Sequence, residues 1–208
     1  MPVVEAVSVG RRRALVHDPD KLSAIDKRPV AGRVVVGPLG PEGDEHASHV
    51  HGGLDQAVYA FAREDYAYWE AELGRPLAAG AFGENLTTGG IDVQGARIGE
   101  RWRVGEVLLE LSGVRIPCAV FAGFMDEPQW VRRFTEHGVP GAYFRVIEPG
   151  TIGAGDPIAV VERRDHHFSV GFAFRAATTE LDRLPELAAE YRVGGNLRSR
   201  LDRYLARR

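Results

Sequence analysis

Cys118 is the only cysteine in the 208-residue chain. It ends the run Ser112-Gly113-Val114-Arg115-Ile116-Pro117-Cys118. A cysteine acts as nucleophile or metal ligand through its thiolate, and a nearby cation favours that form. Arg115 stands three residues before it. Pro117 stops the preceding strand, which puts Cys118 at a turn, where functional residues concentrate. Thiolates suit soft metals. The same facts also fit a buried, inert thiol, because cysteine is among the residues most often found inside. Three further segments carry candidate chemistry. His51-Gly52-Gly53 joins an imidazole to two glycines that allow positive φ and close backbone approach. Gly83-Glu84-Asn85-Leu86 places two polar side chains at a turn, either for a ligand or to pin loops together. Lys27-Arg28-Pro29-Val30-Ala31-Gly32 sets two cations before a constrained turn, as a phosphate clamp or as a solvated surface pair.

Other patterns compete. Asp44, His46, His49 and His51 give D-x-H-x-x-H-x-H, a set that invites zinc or iron. They occupy a Gly- and Ser-containing loop with no helix to align them, so a solvated loop explains most of the pattern. Arg11-Arg12-Arg13 reads as a solvated run, and His166-His167 as a linker pair. A single cysteine excludes an intrachain disulfide and points to a reducing compartment. It also excludes a self-contained iron–sulfur cluster, which needs about four ligands. The net charge of −3 lacks the electrostatic footprint of a nucleic-acid binder. No apolar run approaches the roughly 20 residues that span a bilayer, and the N-terminus does not read as a signal peptide. A soluble, cytoplasmic protein is expected, with no nucleic-acid or membrane partner.

The elements that position these residues divide at about Asp165. Residues 1–164 are turn-rich, with Gly and Pro bounding short strands at Val3 to Val9, Val34 to Val36, Gln56 to Phe61, Ala142 to Ile147 and Pro157 to Val161. Arg101 to Leu111 reads as one long strand. Two helices interrupt them. One runs from Arg63 to Leu73 and stops at Gly74. The other runs from Glu127 to His137, with Asp126 as N-cap and Trp130 and Phe134 facing the core. Ala119 to Met125 reads as an apolar loop. Residues 165–208 turn helical, with helices near Ser169–Ala177, after Thr179, and after Asn196, and with Gly194-Gly195 as a stop. The fold class is mostly β with α: a mostly antiparallel twisted β-barrel carrying a small C-terminal three-helix extension.

In their order, these segments resemble the MOSC family, the molybdenum cofactor sulfurase C-terminal domain. The stretches are Ala24 to Gly32, His51 to Tyr59, Arg63 to Tyr66 with Trp69, Phe82 to Leu86, Ile98 to Glu100, and Arg115 to Cys118. They look most like the stand-alone bacterial members, which resemble reductases of N-hydroxylated bases. The resemblance implies a barrel of the pyruvate-kinase type and a pterin-based molybdenum cofactor with Cys118 as the protein's sulfur ligand. It implies that Lys27, Arg28 and Arg115 neutralise the cofactor, that His51, Gly52 and Gly53 line its cleft, and that Glu84 and Asn85 bond the pterin or brace a loop. It also implies a small N-hydroxylated substrate and a separate electron-donating reductase. The alternative is a cofactor or sulfur carrier that uses Cys118 without turnover. One residue departs from the pattern: Gln56 stands where many members carry a basic residue after the Asp of H-G-G-x-D.

Overall fold

Short β-branched runs cut by Gly and Pro favour strands over helices through the first three quarters of the chain. The computed structural model describes residues 1–15, 18–47, 52–190 and 192–207. Its strands are β1 (Val3–Gly10), β2 (Arg13–Leu15), β3 (Asp18–Ser23), β4 (Lys27–Pro29), β5 (Arg33–Gly37), β6 (Gly40–Pro41), β7 (Val58–Ala62), β8 (Leu86–Gly89), β9 (Arg101–Val104), β10 (Val107–Val114), β11 (Ala142–Glu148), β12 (Gly150–Gly153) and β13 (Ile158–Glu162). Its α-helices are α1 (Tyr66–Leu73), α2 (Ala119–Met125), α3 (Trp130–His137), α4 (Val170–Thr178) and α5 (Gly195–Leu205). No helix among the described residues is long and apolar enough to cross a membrane.

Eight strands form one sheet in the order β13-β9-β10-β11-β7-β8-β1-β4. Neighbours are antiparallel except β7 and β8, which run parallel. A parallel pair needs a long crossover, and α1 supplies it. The expected closed barrel is not formed. The two ends of the sheet approach each other, and among the described residues they meet at the bridge of Val3 with Pro157, with Val4 N donating to Asp156 O at 2.9 Å, Gly155 N to Val4 O at 2.8 Å and Ile158 N to Pro2 O at 3.0 Å. The outer edge of β1 is already taken by β4 over Ser8 to Gly10. Only its first residues remain for the far side, too few to continue a ladder. The result is a mixed α/β fold built on a large curled sheet.

Three local expectations differ from the structure. Arg101 to Leu111 is a hairpin rather than one strand. β9 and β10 pair with Val104 opposite Val107, and Gly105 makes the turn at φ +53°. The segment after Cys118 is helix α2, not a loop. Asp126 ends that helix in the left-handed conformation, its N–H bonded to Ala122 O, instead of opening the next one. Gln129 also has positive φ, so α3 starts at Trp130. Asp tolerates the left-handed region better than most residues, so a residue suited to an N-cap also suits a helix stop.

The interior unites both halves of the chain. Trp69, Phe82, Phe121, Trp130 and Phe134 form an aromatic group beneath α1, α2 and α3, with Trp69 and Trp130 centroids 4.5 Å apart. Phe174, Leu184, Leu187, Leu197 and Leu201 of the C-terminal helices belong to the same core as Leu109, Leu111 and Phe144. Ser169 caps α4 by accepting from Phe172 N at 3.1 Å. The middle helix of the extension, Leu181–Ala189, is 3-10 and contains Pro185, which cannot serve an α-helical ladder.

Close strand contact fixes Gly141. It has φ +70°, and a Cβ there would lie 2.5 Å from Ala60 O, with the Tyr59 and Phe61 rings within 3 Å. Gly141→Ala should lower stability by about 3 kcal/mol, from backbone strain and overpacking together. Urea unfolding checks this, and a midpoint equal to that of the wild type counts against the assignment.

Candidate functional site

β10 delivers Arg115 to the interior, and the chain then turns through Ile116 and Pro117 into α2. Cys118 sits at the N-cap of α2 in extended conformation, half buried, with its carbonyl accepting from Ala122 N at 2.9 Å. Arg115 is only 8% exposed. Its guanidinium carbon lies 4.2 Å from the Phe121 ring centroid and 5.2 Å from that of Tyr59. Among the described residues no carboxylate comes within ion-pair distance of it, and its buried Nε has no hydrogen-bond partner. Burial works against the guanidinium charge. The Tyr143 and Tyr59 phenols, the Cys118 thiol and Glu84 favour it, and the balance keeps it charged. Burial pushes both phenols up, and the Arg115 charge partly offsets this. Tyr59 donates its hydroxyl to Pro140 O at 2.7 Å.

A second buried cation lies in the same electrostatic neighbourhood. Lys27, on β4, pairs with both oxygens of Asp44, and the two side chains are almost wholly enclosed. Burial lowers the Lys27 ammonium from its usual range, while Asp44 holds it up. Asp44 also accepts from Gly10 N at 2.7 Å and from Asn85 Nδ2 at 2.9 Å. Asn85 ties three elements together. Its amide oxygen accepts from Tyr59 N on β7, and its amide nitrogen donates to Ser8 O on β1 and to Asp44.

Glu84 is fully enclosed. Its carboxylate accepts from the Tyr66 hydroxyl, from Thr87 Oγ1 and Gly80 N at 2.7 Å each, and from Phe82 N at 3.1 Å. Burial pushes its carboxyl above the ordinary range, against the bonds from Tyr66, Thr87 and Gly80, which favour the anion. Both Glu84 and Asn85 are saturated by protein partners. The structure therefore gives them a bracing part rather than ligand contact.

The remaining sequence-derived residues are distributed unevenly. Arg28 follows Lys27 by one position, so strand alternation turns it outward. It is exposed and bonded to Asp26 at 2.8 Å, apart from the cluster. His51 and His49 lie outside the described residues. Gly52 and Gly53 take φ +80° and +84°, and a Cβ on Gly52 would strike the His46 ring. Asp44, the carboxylate of the D-x-H-x-x-H-x-H reading, is held by Lys27, Gly10 and Asn85, with His46 Nε2 4.0 Å from its Oδ2. Gln56 is buried against Gly195 of α5, so the side chain that departs from the family pattern faces the extension. Sequence reading missed Asp44 as the counter-ion of Lys27, and Phe121 and Tyr143 as neighbours of Arg115. Phe121 sits one helical turn after Cys118, a relation that appears only once α2 is recognised.

Residues 47–159 match the MOSC domain. The chain belongs to the MOSC domain family. This MOSC chain is 36% identical over 174 residues to the uncharacterized protein YflK of Bacillus subtilis, covering 83% of the chain and 79% of that relative. It is 37% identical to the protein YiiM of Escherichia coli over 147 residues, covering 69% and 66%. A Gibberella moniliformis protein named a reductase is 34% identical over 172 residues, and the match spans only 31% of that longer protein. The YiiM structure from Geobacillus stearothermophilus superposes with a TM-score of 0.83 at 29% identity, covering 99% of this chain and all of that one. YiiM from Escherichia coli gives 0.77 at 25% identity, covering 100% and 94%. MOSC domains as a family are associated with the molybdenum cofactor. The residues here fit such a group: a soft sulfur donor at Cys118, and in its electrostatic range a buried cation with no carboxylate at ion-pair distance among the described residues.

Two substitutions test this assignment. Glu84→Gln turns one acceptor into a donor that faces other donors, and should lower stability by about 3 kcal/mol. A calorimetric transition unchanged from wild type would show that the braces are dispensable. Arg115→Met removes a buried charge that lacks a carboxylate, and should raise the stability of cofactor-free protein by about 1 kcal/mol. A fall of similar size in the urea midpoint would mean that the ring contacts outweigh the desolvation of the charge.

Proposed function

We propose that this MOSC chain holds a molybdenum cofactor at Cys118 and reduces N-hydroxylated compounds to amines, with electrons delivered by a separate reductase. The observation that carries the reading is Arg115. Enclosing a guanidinium without a carboxylate is costly, and an anionic ligand would supply the missing charge. A phosphate-bearing pterin is such a ligand, and Cys118 would be its metal's sulfur donor. The Gly52-Gly53 segment would give it close backbone approach. Lys27 would add positive potential from behind its pair with Asp44.

When bound, the cofactor supplies oxygen-atom removal: R–NH–OH, two electrons and two protons give R–NH₂ and water. The chain's residues bind, orient and set the electrostatics. The fungal relative's name supports a redox part.

The test is molybdenum and pterin content of protein from a molybdate-fed host, wild type beside Cys118→Ala, followed by turnover of an N-hydroxylated base with an artificial electron donor. Wild type should carry near-stoichiometric molybdenum, and Cys118→Ala at least about tenfold less. Molybdenum in neither protein would sink the cofactor assignment. Molybdenum without turnover would leave a carrier of the cofactor and remove the reductase.

A further inference from the structure

Asp55 lies between Gly53 and Gln56 in a 3-10 turn, where Gln56 N donates to Gly53 O at 3.0 Å. Its carboxylate faces the C-terminal extension rather than Arg115. Oδ2 accepts from Gly195 N, the first residue of α5, at 3.0 Å. Oδ1 accepts from Arg145 Nε on β11 at 2.9 Å. Arg145 reaches on to Arg192 O at 2.9 Å. Ser112 of β10 holds the same junction from below. Its hydroxyl donates to Asp55 O, and its carbonyl accepts from Gly194 N at 2.9 Å.

The glycine pair exists for this contact. A Cβ on Gly194 would fall 2.5 Å from the Asp55 carboxylate and 2.6 Å from Arg145 Nη2. Gly195 has φ +56°, and a Cβ there would fall 2.8 Å from Gln56 Nε2. Sequence reading took this pair for a helix stop. It is instead the place where the backbone of α5 comes against the 53–56 turn. From that turn the chain runs one way into Gly52 and Gly53, and the other into β7 and Tyr59, whose ring lies against Arg115.

We propose that Asp55 is a positioning residue: it straps α5 to the 53–56 turn and thereby fixes the glycine segment and Tyr59 around the candidate cofactor site. The extension is then part of the site's support. This inference rests on the cofactor reading for its consequence, but not for the strap itself.

The experiment uses the full chain as wild type, Asp55→Ala and Asp55→Asn. Asn keeps an oxygen acceptor for Gly195 N, so it is the conservative rescue. Amide hydrogen exchange at 52–58 and 193–198 is measured on cofactor-free protein, and molybdenum content on protein from a molybdate-fed host. In Asp55→Ala, exchange should rise about tenfold or more in these two segments only, with thermal unfolding little changed, and molybdenum content should fall in step. Asp55→Asn should restore most of both. Exchange in Asp55→Ala equal to wild type, or raised uniformly across the chain, overturns the strap. Raised local exchange with wild-type molybdenum overturns its link to the site. If wild type itself holds no molybdenum, the cofactor reading and the link fall together, while exchange still decides the strap. If Asp55→Ala does not fold, Asp55→Asn carries the test: protection retained at 193–198 supports the strap, and protection lost at 52–58 and 193–198 alike, despite the kept acceptor, overturns it.

Discussion

Withdrawing an ionised side chain from water costs several kcal/mol unless polar partners replace the water. Four ionisable side chains, Lys27, Asp44, Glu84 and Arg115, are enclosed in one electrostatic neighbourhood, and much of the local architecture answers this cost. Lys27 and Asp44 answer each other. Glu84 takes four donors from α1, β8 and the turn before β8. Asn85 uses its amide to tie β1, β7 and the Asp44 segment into one frame. Arg115 alone among the four is answered by ring faces and phenols instead of a carboxylate. The frame around it is complete, and its own charge is what the frame leaves over.

That contrast separates support from site. Glu84 and Asn85 look like ligand-binding residues when read as a dipeptide, but each has its hydrogen-bonding capacity filled by the fold. Lys27 is partly spent in the same way. Arg115 is enclosed with no carboxylate at ion-pair distance among the described residues, and Cys118 lies within its electrostatic range. Both belong to the segment that ends β10 and starts α2, and the aromatic core reaches them through Phe121. The core's rigidity is therefore passed directly to the Arg115–Cys118 segment. The extension contributes from the other side, because its helices share that core and its glycine pair meets the turn that leads into β7.

Much of this was legible in the sequence. The unique cysteine, the cation three residues before it, the order of the glycine-containing motifs, the aromatic faces of α1 and α3, and the change to helical periodicity after residue 164 all follow from residue types and short spacings. Those features depend on neighbours within a helical turn or a strand pair, where side-chain period and cap chemistry act locally. Other features were open or misread. Strand alternation says that Lys27 and Arg28 face opposite ways, but not which of them faces in. The barrel expectation failed because closure depends on how much of the β1 edge β4 already occupies. Helix α2 was hidden by Gly123 and by Val120, Phe121 and Phe124, whose intrinsic helix propensity is weak, and tertiary packing of Phe121 and Met125 decides it. The Asp55–Gly195 contact joins positions 140 residues apart, and Asn85 meets Ser8 across 77. Such pairings are set by sheet register and by docking of whole elements, which no local pattern encodes. The sequence by itself determined which residues carry unusual chemistry. Only the tertiary structure decided which of them the fold consumes as support and which, like Arg115, has no carboxylate at ion-pair distance among the described residues, because that outcome depends on the total of partners brought together from distant parts of the chain.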